Sequence, residues 1–96
     1  MEQGIKYDAG KPRFDLIEPE FTKSVAEVLT FGAEKYAPNS WQHVEDATNR
    51  YYASLCRHLN AWRRGEKIDP ESGMPHLAHV ATNCMFLQHF ERNENE

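Results

Sequence analysis

The chain has 96 residues, 40% of them hydrophobic and 27% charged, with a formal net charge of −4. That length holds one domain with a small core, and the balance is that of a globular chain rather than a disordered one. The acidic charge argues against a broad basic face for duplex nucleic acid.

The opening stretch MEQGIKYDAGK lacks the apolar run of a secretory signal. No segment approaches the roughly 20 apolar residues of a membrane span. A cytoplasmic chain is expected. A core this small also favours burial against copies of the same chain, so a homo-oligomer, dimer or tetramer, is expected.

In chain order, residues 1–18 carry Gly4, Gly10 and Pro12 with alternating charge and no sustained period. They read as an N-terminal arm, with Phe14, Leu16 and Ile17 docking on the core. Pro19 suits the first turn of a helix, where its missing N–H costs nothing. Phe21, Val25, Val28, Leu29 and Tyr36 then keep helical spacing. Gly32 weakens that helix by about 1 kcal/mol relative to alanine, which points to a close helix crossing or an approaching ligand.

Pro38 and Asn39 break the pattern. A second helix is expected over 44–64, with Tyr52, Leu55, Leu59 and Trp62 as its apolar stripe. Gly65 supplies the stop, and Arg63 and Arg64 suit the negative end of the helix dipole. Asp69-Pro70 and Ser72-Gly73 read as turns. Pro75 opens a third helix whose stripe is Leu77, Val80, Ala81, Cys84 and Leu87. Cys56 and Cys84 lack close metal or redox spacing and read as small buried core residues. The tail, 91–96, is polar and expected to fray. The expected fold is all-α: three main helices over a core of 19–90, with an N-terminal arm, completed by oligomerisation.

The ionisable residues concentrate late in the chain. His76, His79 and Asn83 stand at i, i+3 and i+7 and share one face of the third helix. Two such imidazoles can share a metal, face a phosphate or simply bond locally. On the second helix, Arg57 lies seven residues after Arg50 and next to His58, and arginine suits bidentate phosphate contact. Glu27, Thr30 and Glu34 share a face of the first helix, with Lys23 on the same line and Lys35 beside Glu34.

Glu66, Asp69 and Glu71 fall within six positions. Hard oxygen donors of this kind suit Mg²⁺ or Mn²⁺, though acidic turns also complement helix dipoles. In YDAGKPR, Lys11 and Arg13 flank a flexible glycine region that could close over a phosphorylated ligand, but no GxxxxGK[ST] pattern is present. Trp41, Tyr36 and Tyr52 could stack on a base, or belong to the core. No serine or cysteine has a convincing base partner, so covalent catalysis is not supported.

The ordered segments KYDAGKPRFDLIEPE, LTFGAEKYAPNSW and RHLNAWRRGEKIDPESGMPHLAHVATN resemble the phage-associated N-terminal domain of dATP/dGTP diphosphohydrolases. The likeness runs from about Lys6 to Leu87. That family is similar to the all-α, MazG-type nucleoside triphosphate pyrophosphohydrolases, which are oligomeric and use Mg²⁺. The resemblance implies hydrolysis of dGTP or dATP to monophosphate and pyrophosphate.

The chain departs from the wider pattern. No ExxE pair lies in the first two helices, and HxxH stands where ExxD is expected. On this resemblance the metal ligands would be Glu34, Glu71 and Asp69, with His79, His76 and His58 as catalytic groups. Lys11, Arg13, Lys35, Arg50, Arg57 and Asn83 would bind phosphate or nucleotide. Two other readings stand beside this one. The first is a non-catalytic helical module that binds a nucleotide or a protein. The second is an HD-type phosphohydrolase, for which no HD dipeptide is present.

Overall fold

A computed structural model describes residues 3–93 of the chain. Three α-helices form: α1 over Pro19–Lys35, α2 over Ala47–Arg63 and α3 over His76–Asn93. Short 3₁₀ turns occupy Phe14–Leu16 and Ser40–His43. Among the described residues the only β-pairing is one antiparallel bridge, Ile68 with Pro75. The all-α expectation holds. No helix among the described residues is long and apolar enough to cross a membrane.

The helix boundaries follow local chemistry. Pro19 enters α1 in its first turn, as expected. Helix α2 starts at Ala47 rather than Val44, because Ser40–His43 coil into a separate turn and Asp46 adopts a left-handed backbone at φ 55°. Gly65, at φ 103°, ends it in a conformation that costs glycine little. The 69–74 turn is closed by Asp69 N–H donating to Met74 O at 2.9 Å and Gly73 N–H to Asp69 O at 2.8 Å. Helix α3 continues through residues 91–93, which had been expected to fray; the last three tail residues and the first two of the arm lie outside the described residues.

Helix α3 is central. It packs along α2 over most of its length and against α1 more lightly, while α1 and α2 barely meet. An aromatic cluster pins the far end of the α2–α3 pair. The Trp41 and Phe86 rings stack at 4.5 Å, Tyr51 lies 4.7 Å from Phe86, and the Tyr51 hydroxyl donates to Trp41 O at 3.0 Å.

Four expectations about burial are overturned. The arm does not dock: Phe14 is 78% exposed and Leu16 72%. Tyr52, Leu59 and Trp62 of the α2 stripe are exposed, and so are Leu77 and Cys84 of the α3 stripe. Cys56 is only half-buried. Apolarity alone predicts an inward face for both stripes, but Leu55, Val80, Ala81 and Leu87 are only half-buried and the other stripe residues are exposed. No atom lies within 4 Å of a Cβ placed at Gly32, so no helix crosses closely there.

Replacing Trp41 with alanine removes the ring that ties the 40–43 turn to α3. Urea denaturation is expected to show a loss of about 2–3 kcal/mol, below the roughly 3–5 kcal/mol of a fully buried tryptophan. An unchanged midpoint would show that the cluster does not hold that turn.

Candidate functional site

Because α1 and α2 stand apart, an open cleft of about 1170 Å³ runs between them with α3 as its floor. That exceeds the usual volume of a small-molecule site, roughly 300–1,000 Å³. Lys35, Arg50 and Arg57 line it, and His58, Asp69, His76 and His79 lie at its base.

The base is built from three elements. Helix α2 supplies His58, the 66–72 turn supplies Glu66, Asp69 and Ser72, and the first turn of α3 supplies His76 and His79. His76 is only 3% exposed. Its Nε2 donates to Glu66 Oε1 at 2.7 Å, which in the neutral ring leaves Nδ1 with a bare lone pair. That Nδ1 lies 2.8 Å from His58 Nδ1. The His58 ring stacks on His79 at 4.2 Å and 3°.

Ser72 joins the turn to the helix. Its hydroxyl donates to Asp69 Oδ2 at 2.9 Å and lies 2.7 Å from His79 Nε2. Asp69 also accepts from the backbone N–H of Ser72 at 3.2 Å and of Glu71 at 3.4 Å. The ligand atoms of His58, Asp69 and His76 all lie within 4.8 Å of one another.

The electrostatics follow from this packing. Burial, helped by the neighbouring His79, pushes His58 down to about 4. Burial also lowers His79, with Asp69 opposing. For Asp69, burial pulls the carboxyl upward, but the bonds from Ser72 and Glu71 outweigh it and leave the group below its ordinary value. At neutral pH the base of the cleft therefore holds a neutral His58 beside an ionised Asp69, which is the protonation state of metal ligands and proton acceptors.

Of the residues singled out from the sequence, His58, Asp69, His76 and His79 come together here. Asn83 sits one turn along α3, its amide donating to Ser54 Oγ at 3.2 Å and His79 O at 3.0 Å. Glu71 lines the cleft and accepts from Lys35 Nζ at 2.7 Å, linking the turn to the end of α1. Glu34, Lys11 and Arg13 do not line the cleft. Arg13 instead pairs with Asp15 at 2.7 Å on the exposed arm. Sequence reasoning missed Ser72, although its place three residues after Asp69 and seven before His79 is the signal that could have found it. It also missed that Glu66 faces an imidazole.

A family model described as dATP/dGTP diphosphohydrolase, N-terminal, matches residues 1–96. The chain belongs to that family. The chain is also similar to a dATP/dGTP diphosphohydrolase of Salmonella phage PMBT28, 38% identical over 84 residues. The aligned region is 88% of this chain but 28% of that relative, so the chain spans less than a third of its length. No solved structure matches. In this chain Asp69, Ser72, His76 and His79 all fall in the segment DPESGMPHLAH.

Replacing Ser72 with alanine deletes the hydroxyl shared by Asp69 and His79. The expected cost is about 1–2 kcal/mol of stability, the usual effect of unmaking a part-buried hydrogen bond. A shift of the His79 ¹⁵N ring resonances should accompany it, and unchanged resonances would disprove the bridge.

Proposed function

We propose that the chain is a metal-dependent nucleoside triphosphate diphosphohydrolase domain. It converts purine deoxynucleoside triphosphates, dGTP or dATP, to the monophosphate and pyrophosphate, and works as a homo-oligomer in the cytoplasm of the host cell. One observation carries the reading: the ionisable residues of DPESGMPHLAH converge with His58 in a cleft that Lys35, Arg50 and Arg57 also line.

The parts divide naturally. Arginine binds phosphate oxygens through a planar fork, so Arg50 and Arg57 suit the β- and γ-phosphates. Lys35 adds a point charge from the opposite wall. A divalent metal, when bound, neutralises phosphate charge and activates water. Water oxygen attacks the α-phosphorus, the bond to the α–β bridging oxygen breaks, and pyrophosphate leaves. His79 takes the proton of the attacking water; burial keeps its ring neutral and able to accept it. The exposed apolar residues Tyr52, Leu59 and Trp62 on α2 and Leu77 on α3 offer a surface for a second copy.

Incubation with each dNTP and a divalent metal should release pyrophosphate and monophosphate, resolved by ³¹P NMR. Release of triphosphate or of a single phosphate, or no turnover, would overturn the reading. His79→Ala should lower kcat by about 10²–10⁴, the usual contribution of a general base. Arg57→Ala should raise KM about tenfold or more, since hydrogen bonds to charged groups contribute roughly 1.5–3 kcal/mol. Light scattering should give at least twice the chain mass, and Trp62→Glu should reduce it to the monomer value.

A further inference from the structure

Mg²⁺ is the metal that the resemblance implies, and the donors at the base of the cleft do not fit it. Mg²⁺ prefers an octahedron of oxygens at short distance and keeps several waters. The donors that lie within reach of one another are two imidazoles and a single carboxylate, Asp69; Glu66 bonds the outer nitrogen of His76, and Glu71 faces Lys35 outside that cluster. We propose that His58, His76 and Asp69 form a site for a first-row transition dication of the iron, cobalt, nickel or zinc class, with Glu66 as the residue that orients His76.

Three observations carry this. Imidazole is a borderline donor that suits those metals, and two histidines with one carboxylate leave open positions for water or substrate. The Nδ1 atoms of His58 and His76 are 2.8 Å apart. Two nitrogens each at about 2.0–2.1 Å from one metal stand roughly 3 Å apart in an octahedron, so the rings need move only slightly to share an ion. Finally, Glu66 accepts from His76 Nε2 at 2.7 Å, and His76 is 3% exposed. A carboxylate holding the outer nitrogen of a buried histidine fixes the tautomer and presents the inner lone pair, the arrangement that metal-bound histidines share.

Without an ion, the 2.8 Å contact between the Nδ1 atoms of His58 and His76 needs one proton between them, which His58 can supply. With one, His58 needs only to move that proton to Nε2, so both inner lone pairs face the metal. Ser72 holds Asp69 in place through its hydroxyl and backbone N–H.

The inference rests on the proposed function only for the reaction the metal would serve, and its test uses no nucleotide. Untagged, metal-stripped chain is titrated with Co²⁺ and followed by visible d–d absorption and calorimetry. One Co²⁺ per chain is expected, not displaced by an equal or tenfold concentration of Mg²⁺. His76→Ala should abolish the absorption band. Glu66→Gln should weaken Co²⁺ binding by about 10–100-fold while the far-UV circular dichroism stays unchanged, and Glu66→Asp should restore part of it.

The Glu66 side chain is 53% exposed, so its variants test the site even where His76→Ala fails to fold. Displacement of Co²⁺ by Mg²⁺, or Co²⁺ affinity unchanged in Glu66→Gln, would overturn the proposal. Binding of Co²⁺ by a chain that hydrolyses no dNTP would leave this site standing and remove the proposed reaction. Turnover with Mg²⁺ in a chain that binds no Co²⁺ would do the reverse.

Discussion

The contact on which this small structure depends is the buried, hydrogen-bonded His76. A buried polar ring is costly unless its nitrogens find partners. His76 finds both, one on the inter-helix turn and one on α2. The first turn of α3 is thereby tied to α2 and to the 66–72 segment at once. Further along the same seam Asn83 bonds Ser54, and Thr82, 2% exposed, returns its hydroxyl to Ala78 O at 2.8 Å. The α2–α3 seam thus carries partnered polar groups towards the start of α3 and the Trp41, Tyr51 and Phe86 rings at its far end.

That choice explains where the apolar residues went. Among the described residues the buried hydrophobics are Val28, Ala47 and Ala78, all small. The radius of gyration is 17.0 Å, against about 12 Å for a compact chain of this length. Burial at roughly 25 cal/mol per Å² of apolar surface is what offsets chain entropy, and this chain leaves much of that surface uncovered. The outward faces of α2 and α3 are therefore reserves of stability that a second copy would draw on. The polar contacts and the aromatic cluster of the α2–α3 seam are the part that the chain closes by itself.

How much of this was legible differs by level. The three helices were readable because Pro19, Gly65 and the 69–75 turn are local signals, read without knowing any neighbour. Which face of each helix points inward was not readable. Periodicity identifies a stripe but not its partner, and the apolar stripes of α2 and α3 were assigned to a core that this chain does not build alone. The histidine pair on α3 was legible as a shared face, since i and i+3 spacing needs no tertiary information. His58 and Asp69 could be nominated, but their meeting with that face depends on the seam register. Glu34 was nominated from the acidic chemistry of a wider family. It lies outside the cleft lining because the end of α1 reaches the turn through Lys35 instead.

The separation of α1 from α2 has its own physical reason. A helix that packed against both others would fill the groove and bury Lys35, Arg50 and Arg57, whose charges need water or an anionic partner. With α1 leaning on α3 alone, the cations stay on the walls while the imidazoles sit below them. A polyphosphate entering such a groove would meet the three cations first, and would approach the imidazoles and Asp69 only with a cation between it and the carboxylate. On the proposed function this layout would favour a ligand with several phosphates, because one phosphate could meet the rim or the base and only a chain of them could span both.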